Sequence, residues 1–253
     1  MDRAGPRRAR APGRTGVTDH DLARRLTAEA VGSALLVAVV VGSGIAAQRL
    51  SPGDGGLQLL ENAAATGAGL VALIVAFGPV SGAHFNPVVT LADRLFGGLR
   101  TGTAVGYAGA QLVGACAGAI VANLMFDLDP VTFSSTDRSS GGLWLGEVVA
   151  TFGLLVVVLG VARSGRTTVA PFAVGGYIAA AYWFTSSTSF ANPAVTVGRT
   201  LTDTFAGIAL ASVPAFVVAQ LAGGLGAVAL ARFLHPDLPA DALVVPHDQP
   251  AGP

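Results

Sequence analysis

SGAHFNPVVT, residues 81–90, and STSFANPAVT, residues 187–196, are the two stretches on which the fold turns. Each sets an Asn-Pro pair, Asn86-Pro87 and Asn192-Pro193, ahead of a short apolar run, and the two asparagines stand 106 positions apart. Asn is a favoured N-cap because its side-chain oxygen takes an orphan backbone N–H, and Pro suits the first helical position, where its missing N–H costs nothing. Both stretches therefore predict helix starts. Repeated in matched apolar surroundings, they predict helices that begin inside a membrane.

Composition sets that solvent. Of 253 residues, 52% are hydrophobic and only 12% charged, with 34 glycines, and the mean hydropathy is +0.62. This lies outside the soluble globular range and reads as a polytopic membrane protein. The net charge of zero conceals an asymmetry, since all 15 basic residues are Arg and they gather at particular points. The one cysteine, Cys116, excludes an internal disulfide or a multi-cysteine metal site. Residues 1–21, rich in Arg, Pro and Gly, read as a disordered basic tail, and 235–253 reads as a second disordered tail.

Apolar stretches at about 23–48, 57–77, 101–124, 142–162, 168–187 and 207–234 each approach the roughly 20 residues needed to cross the hydrocarbon core. The segments after the Asn-Pro pairs, about 87–96 and 193–202, cover about 15 Å as helix, half that thickness. They can enter the membrane but cannot cross it. The halves 22–126 and 140–234 repeat one another within a single unit, 22–234: Glu29 and Glu147, like Gly42 and Gly160, are displaced by 118, and Gln111-Leu-Val-Gly is echoed by Gln220-Leu-Ala-Gly. A repeat of three spans runs through the membrane in the opposite sense the second time, giving an inverted repeat. The expected fold is all-α, with six transmembrane helices and two re-entrant half-helices meeting near the midplane. With the N-terminus inside, twelve arginines are cytoplasmic and only Arg49, Arg138 and Arg199 lie outside, as the positive-inside rule requires. Small residues four apart, Gly102 with Gly106 and Gly114 with Gly118, mark close helix contacts.

A helix N-terminus carries about half a positive charge, so two facing each other repel a cation at the midplane. The carboxamide NH₂ groups of Asn86 and Asn192, left over after capping, can donate to the oxygen of a neutral solute. The pattern suits a selective hole for uncharged, hydroxylated molecules, in the way positive half-helix ends exclude cations from aquaporin-type pores.

These residues, with the paired Glu29 and Glu147 and the six-span repeat, resemble the aquaporin and aquaglyceroporin (major intrinsic protein) family over about 22–234. The resemblance implies that Glu29 and Glu147 anchor the carbonyl-rich loops beside the half-helices, with His84 in the first loop. It implies a homotetramer in the plasma membrane with both termini cytoplasmic, small neutral solutes and water as its partners besides lipid, and no cofactor, metal, nucleic acid or enzymatic activity. Most members follow the second motif with Arg; here Val195 stands in its place. By spacing from the motifs, the other selectivity positions fall at Thr66, Ala180 and Ser189, a small, weakly polar set that predicts a wide constriction. A subgroup found with arsenic-resistance genes shares the Val. The expected solutes are therefore glycerol-like polyols, metalloid hydroxides such as arsenous acid, and water.

Arg199 lies four residues beyond Val195, one turn nearer the outside. It reads either as a vestibule or loop-anchoring residue, with Asp203 as a candidate partner, or as a displaced filter residue. Glu29 and Glu147 also admit a proton-relay reading, since acids at membrane depth often carry protons, but matched repeat positions favour anchoring. His84 has no imidazole nearby in sequence and reads as loop packing rather than a ligand. Two other functions fit discontinuous helices: a secondary transporter, which needs a coupling-ion site, and a closed structural membrane protein.

Overall fold

The computed structural model describes residues 19–235, so the expected tails lie outside the described residues except at their inner margins, where residues 19–21 already belong to the first helix. The elements are α1 (Asp19–Leu50), α2 (Gly55–Ser81), α3 (Pro87–Leu95), α4 (Thr101–Met125), α5 (Gly141–Arg163), α6 (Ala170–Phe184), α7 (Pro193–Gly198) and α8 (Val213–Leu234). Short 3₁₀ turns lead into α6 and α8 and continue α7 through Arg199–Leu201. There is no strand among the described residues.

Five helices, α1, α2, α4, α5 and α8, are long and apolar enough to cross a membrane. The sixth expected span is shorter than its sequence suggested. Helix α6 has 15 residues and stops at Phe184 because Thr185 turns into extended backbone (φ −104°, ψ 139°). With the three-residue 3₁₀ turn before it, this segment reaches about 28 Å, close to the thickness of the hydrocarbon core. The half-helices are short as expected. Helix α3 has nine residues, and α7 has six before its 3₁₀ continuation.

The order long, long, short, long occurs twice. Within each half the first long helix packs against the last, α1 on α4 and α5 on α8, and the halves meet where α2 crosses α6. Each short helix also leans on the other half, α3 on α8 and α7 on α4. Glycine permits the closest approaches: a Cβ on Gly114 or Gly118 would stand 2.1 Å from the carbonyl oxygen of Ala30 or Ala34. The other small pair does not behave this way, since Gly102 meets nothing and Gly106 meets only the Leu26 side chain. At the α2–α6 crossing, a Cβ on Gly175 would lie 2.6 Å from the Gly67 oxygen. Lipid tails are as apolar as side chains, so such backbone-to-backbone contact, rather than a hydrophobic drive, brings the helices together.

Candidate pore and its constriction

The half-helices begin as the Asn-Pro pairs require. Asn86 Oδ1 accepts from Val88 N at 2.9 Å, and Asn192 Oδ1 accepts from Ala194 N at 3.0 Å and Val195 N at 3.3 Å. The remaining NH₂ groups are not wholly free. Asn86 Nδ2 donates to the carbonyl of Ala191, and Asn192 Nδ2 donates to the carbonyl of Phe85, both at 2.7 Å. Each asparagine thus bonds to the residue preceding the other, and each carboxamide, having two N–H donors, keeps one in hand.

The loops feeding these caps are wound against the usual hand. Ala83 and Phe85 in the first, and Thr188, Ser189 and Ala191 in the second, have φ between 48° and 61°. For residues with a Cβ this costs roughly 1–2 kcal/mol each, so something must hold them. Buried carboxylates do. Glu29 accepts from His84 N (3.0 Å), Phe85 N (2.7 Å), Ser81 Oγ (2.6 Å) and Gln111 Nε2 (2.7 Å). Glu147 accepts from Phe190 N and Ala191 N, both at 2.9 Å, and from Gln220 Nε2 at 2.6 Å. Each glutamine also donates to a half-helix threonine, Gln111 to Thr90 at 3.0 Å and Gln220 to Thr196 at 2.9 Å. Hydrogen bonds to a charged group contribute about 1.5–3 kcal/mol each, enough to offset the loop strain.

His84 is held from three sides. Its Nδ1 lies 3.1 Å from Thr90 Oγ1, its Nε2 lies 3.1 Å from Asp93 Oδ2, and its ring meets Tyr107 edge-on.

One cavity joins these parts. Asp93, Ala162, Thr167 and Ala170 line one end, both asparagines line the middle, and Thr66, Tyr182, Ser189, Val195 and Arg199 line the other. The helical walls are apolar stripes four residues apart, Thr66, Leu70 and Ile74 on α2 facing Tyr182, Ile178 and Val174 on α6.

At the Thr66 end the structure departs from the spacing argument. Ala180 is exposed on the far side of α6 and does not line the cavity; Tyr182 takes that place, its hydroxyl 3.2 Å from Thr66 Oγ1. Tyr182 stands two residues nearer Asn192 than Ala180 does, so the connection from α6 to the second motif is shorter than the count assumed. A large aromatic therefore lines an end expected to carry only small side chains. Ser189 Oγ is buried without a hydrogen-bond partner among the described residues, and Val195 lines the same end with an apolar side chain. The expected Arg199–Asp203 pair is also absent: Asp203 accepts from Ser135 N at 3.0 Å and Ser135 Oγ at 3.1 Å. Arg199 instead donates from Nε to the Ala206 carbonyl and lays its guanidinium over the Phe190 ring, 3.4 Å from the centroid.

Tyr182 and Phe190 were not singled out from sequence. The four-residue stripe from Val174 through Ile178 would have pointed to Tyr182 had the face of α6 toward the cavity been known.

Residues 17–189 match the family described as Major intrinsic protein. The chain belongs to this family. As a major intrinsic protein it is 51% identical over 216 residues to aquaglyceroporin AqpS of Rhizobium meliloti (strain 1021), covering 85% of this chain and 92% of that one. It is 34% identical over 165 residues to aquaporin NIP1-4 of Oryza sativa subsp. japonica, covering 63% and 60% of the two chains. Its fold matches that of the aquaglyceroporin from Plasmodium falciparum with a TM-score of 0.63 at 20% identity, over 86% of this chain and 96% of that one.

Proposed function

We propose that this major intrinsic protein is a passive channel for small neutral hydroxylated solutes: glycerol-like polyols, metalloid hydroxides such as arsenous acid, and water. The crossed asparagines carry the reading. They leave one N–H donor apiece in the middle of a cavity flanked by the apolar stripes of α2 and α6, so an uncharged oxygen is welcome there. A cation at that level meets two N–H donors and two helix N-termini. The buried acids of the half-helix loops, Glu29 and Glu147, are committed to loop amides and glutamines, and Asp93, which lines one end, is paired with His84, which speaks against a coupling-ion site and for passive flow. The similarity to an aquaglyceroporin over most of the chain supports the solute class.

In this reading Asn86, Pro87, Asn192 and Pro193 form the midplane of the pore, and Thr66, Tyr182, Ser189 and Val195 form its selectivity region, with Tyr182 replacing Ala180. The arginine distribution supports cytoplasmic termini, so the Thr66 end faces outward from a plasma membrane. A homotetramer with one pore per subunit fits the family.

Purified protein in liposomes tests this by stopped-flow light scattering for water and glycerol and by uptake for arsenite, without any ion gradient. Flux above that of empty vesicles is expected for all three. Correctly folded protein that passes none of them overturns the reading.

A further inference from the structure

Val195 leaves the Thr66 end of the cavity without a cation at the position where the family expects one, yet a guanidinium is present there by another route. Arg199 follows α7 one turn beyond Val195, about 6 Å further along the axis. Side chains on a helix tilt toward its N-terminus. The Arg199 guanidinium does so far enough to lie on the ring of Phe190, the neighbour of Ser189, although Phe190 precedes the whole half-helix. Its charge is thereby carried back toward the level of Ser189 and Val195.

Three features separate it from a simple anchor. Arg199 is only 2% exposed to solvent and lines the cavity. No carboxylate of the described residues lies within ion-pair distance of it. Its Nε is committed to the Ala206 carbonyl, whereas neither terminal nitrogen has a hydrogen-bond partner among the described residues. An arginine buried without a counter-ion at membrane depth is costly unless it faces water or a polar ligand. Arg138 gives the contrast. It stands over the same Phe190 ring at 5.0 Å and donates to the adjacent carbonyl, Gly207, at 3.0 Å, but it does not line the cavity.

We propose that Arg199 is the specificity-determining cation of this pore, supplying from one turn further out the charge and donors that position 195 lacks. The proposal rests on the channel reading above. The terminal guanidinium nitrogens and the Ser189 hydroxyl offer hydrogen bonds to a solute while Val195 offers an apolar wall, a pairing suited to a molecule with hydroxyls on one edge and C–H groups on the other. The same charge turns cations away.

The test compares wild type, Arg199→Gln, Arg199→Lys and Arg138→Gln in liposomes, reading water, glycerol and potassium flux in each. In Arg199→Gln potassium leak rises about tenfold or more over wild type, the consequence of deleting one unscreened charge. Arg138→Gln excludes potassium as wild type does. Arg199→Lys keeps the exclusion but loses the planar fork, and its glycerol-to-water ratio moves about threefold or more. Should the Gln variant fail to fold, the Lys variant decides: an unchanged ratio makes Arg199 a loop anchor and overturns the proposal. So does a folded Arg199→Gln that still excludes potassium. Absence of any flux in wild type overturns the channel reading and this role with it, whereas wild-type flux with unaltered variants overturns the role alone.

Discussion

Replacing Asn192 by Asp exchanges one NH₂ for an oxygen of almost the same size, and so isolates what the crossed bonds contribute. The cap survives, because the Asp oxygen can still accept from Ala194 N and Val195 N, and its charge gains about 0.3–1 kcal/mol at a helix N-terminus. The crossing does not survive. The donor 2.7 Å from the Phe85 carbonyl becomes an acceptor facing an acceptor. Losing the bond costs about 1 kcal/mol net, and stranding the buried carbonyl costs about 1–3 kcal/mol more. The balance is a destabilisation of about 2 kcal/mol, compared with a total stability of about 5–15 kcal/mol for a typical domain. In detergent the Asp variant should unfold at a distinctly lower temperature than wild type. In liposomes its water flux should fall, since the carboxylate aims at a carbonyl in the narrow middle of the cavity. An unchanged melting temperature together with unchanged water flux would falsify the idea that the reciprocal carboxamide bonds hold the half-helices together.

Val195→Arg adds a second guanidinium beside Ser189 and narrows the cavity, so glycerol permeability in stopped-flow assays should drop about tenfold or more while water falls less; equal losses would count against this end as the selective one. Gly118→Val puts a branched side chain where a Cβ alone would stand 2.1 Å from the Ala34 oxygen, and should cost on the order of 3 kcal/mol or more, seen as aggregation or a sharply lowered melting temperature. Glu147→Ala strands the Phe190 and Ala191 amides and loosens a loop with three left-handed residues, and should abolish water flux even in protein that still reaches the membrane. Tyr182→Phe removes the partner of Thr66 Oγ1 without opening space, so water flux should change by less than about threefold while the glycerol-to-water ratio shifts.

The repeat, the half-helices and the two glutamate anchors were legible in the sequence because each depends on residue identity at a fixed displacement. Glu29 and Glu147 are recognisable at a separation of 118, and an Asn-Pro pair caps a helix whatever lies around it. What failed depends on distances that spacing does not encode. Ala180 was placed by counting back across the loop 185–191, and that loop is extended and partly left-handed, so the count ended on the wrong face of α6. The route of Arg199 depends on a long side chain choosing a ring and a carbonyl over Asp203, whose oxygens Ser135 had already taken. The crossed carboxamides belong to neither half alone. No reading of one motif could show that half of each NH₂ group was committed to the other.

That reciprocity also bears on the order in which the protein can be made. Asn86 donates to an acceptor 105 positions later, and the Phe85 carbonyl waits for a donor 107 positions later. At roughly 5–20 residues per second of synthesis, the first half-helix stands in the membrane for about 5–20 s with its cap made but its crossing bonds not yet formed. During that interval its restraints lie within its own half, Glu29 and Gln111 among them, with the Thr90, Asp93 and Tyr107 contacts of His84. The anchors serve the nascent chain before the permeation path exists, and the two asparagines act as the latch that closes once the last third of the chain arrives.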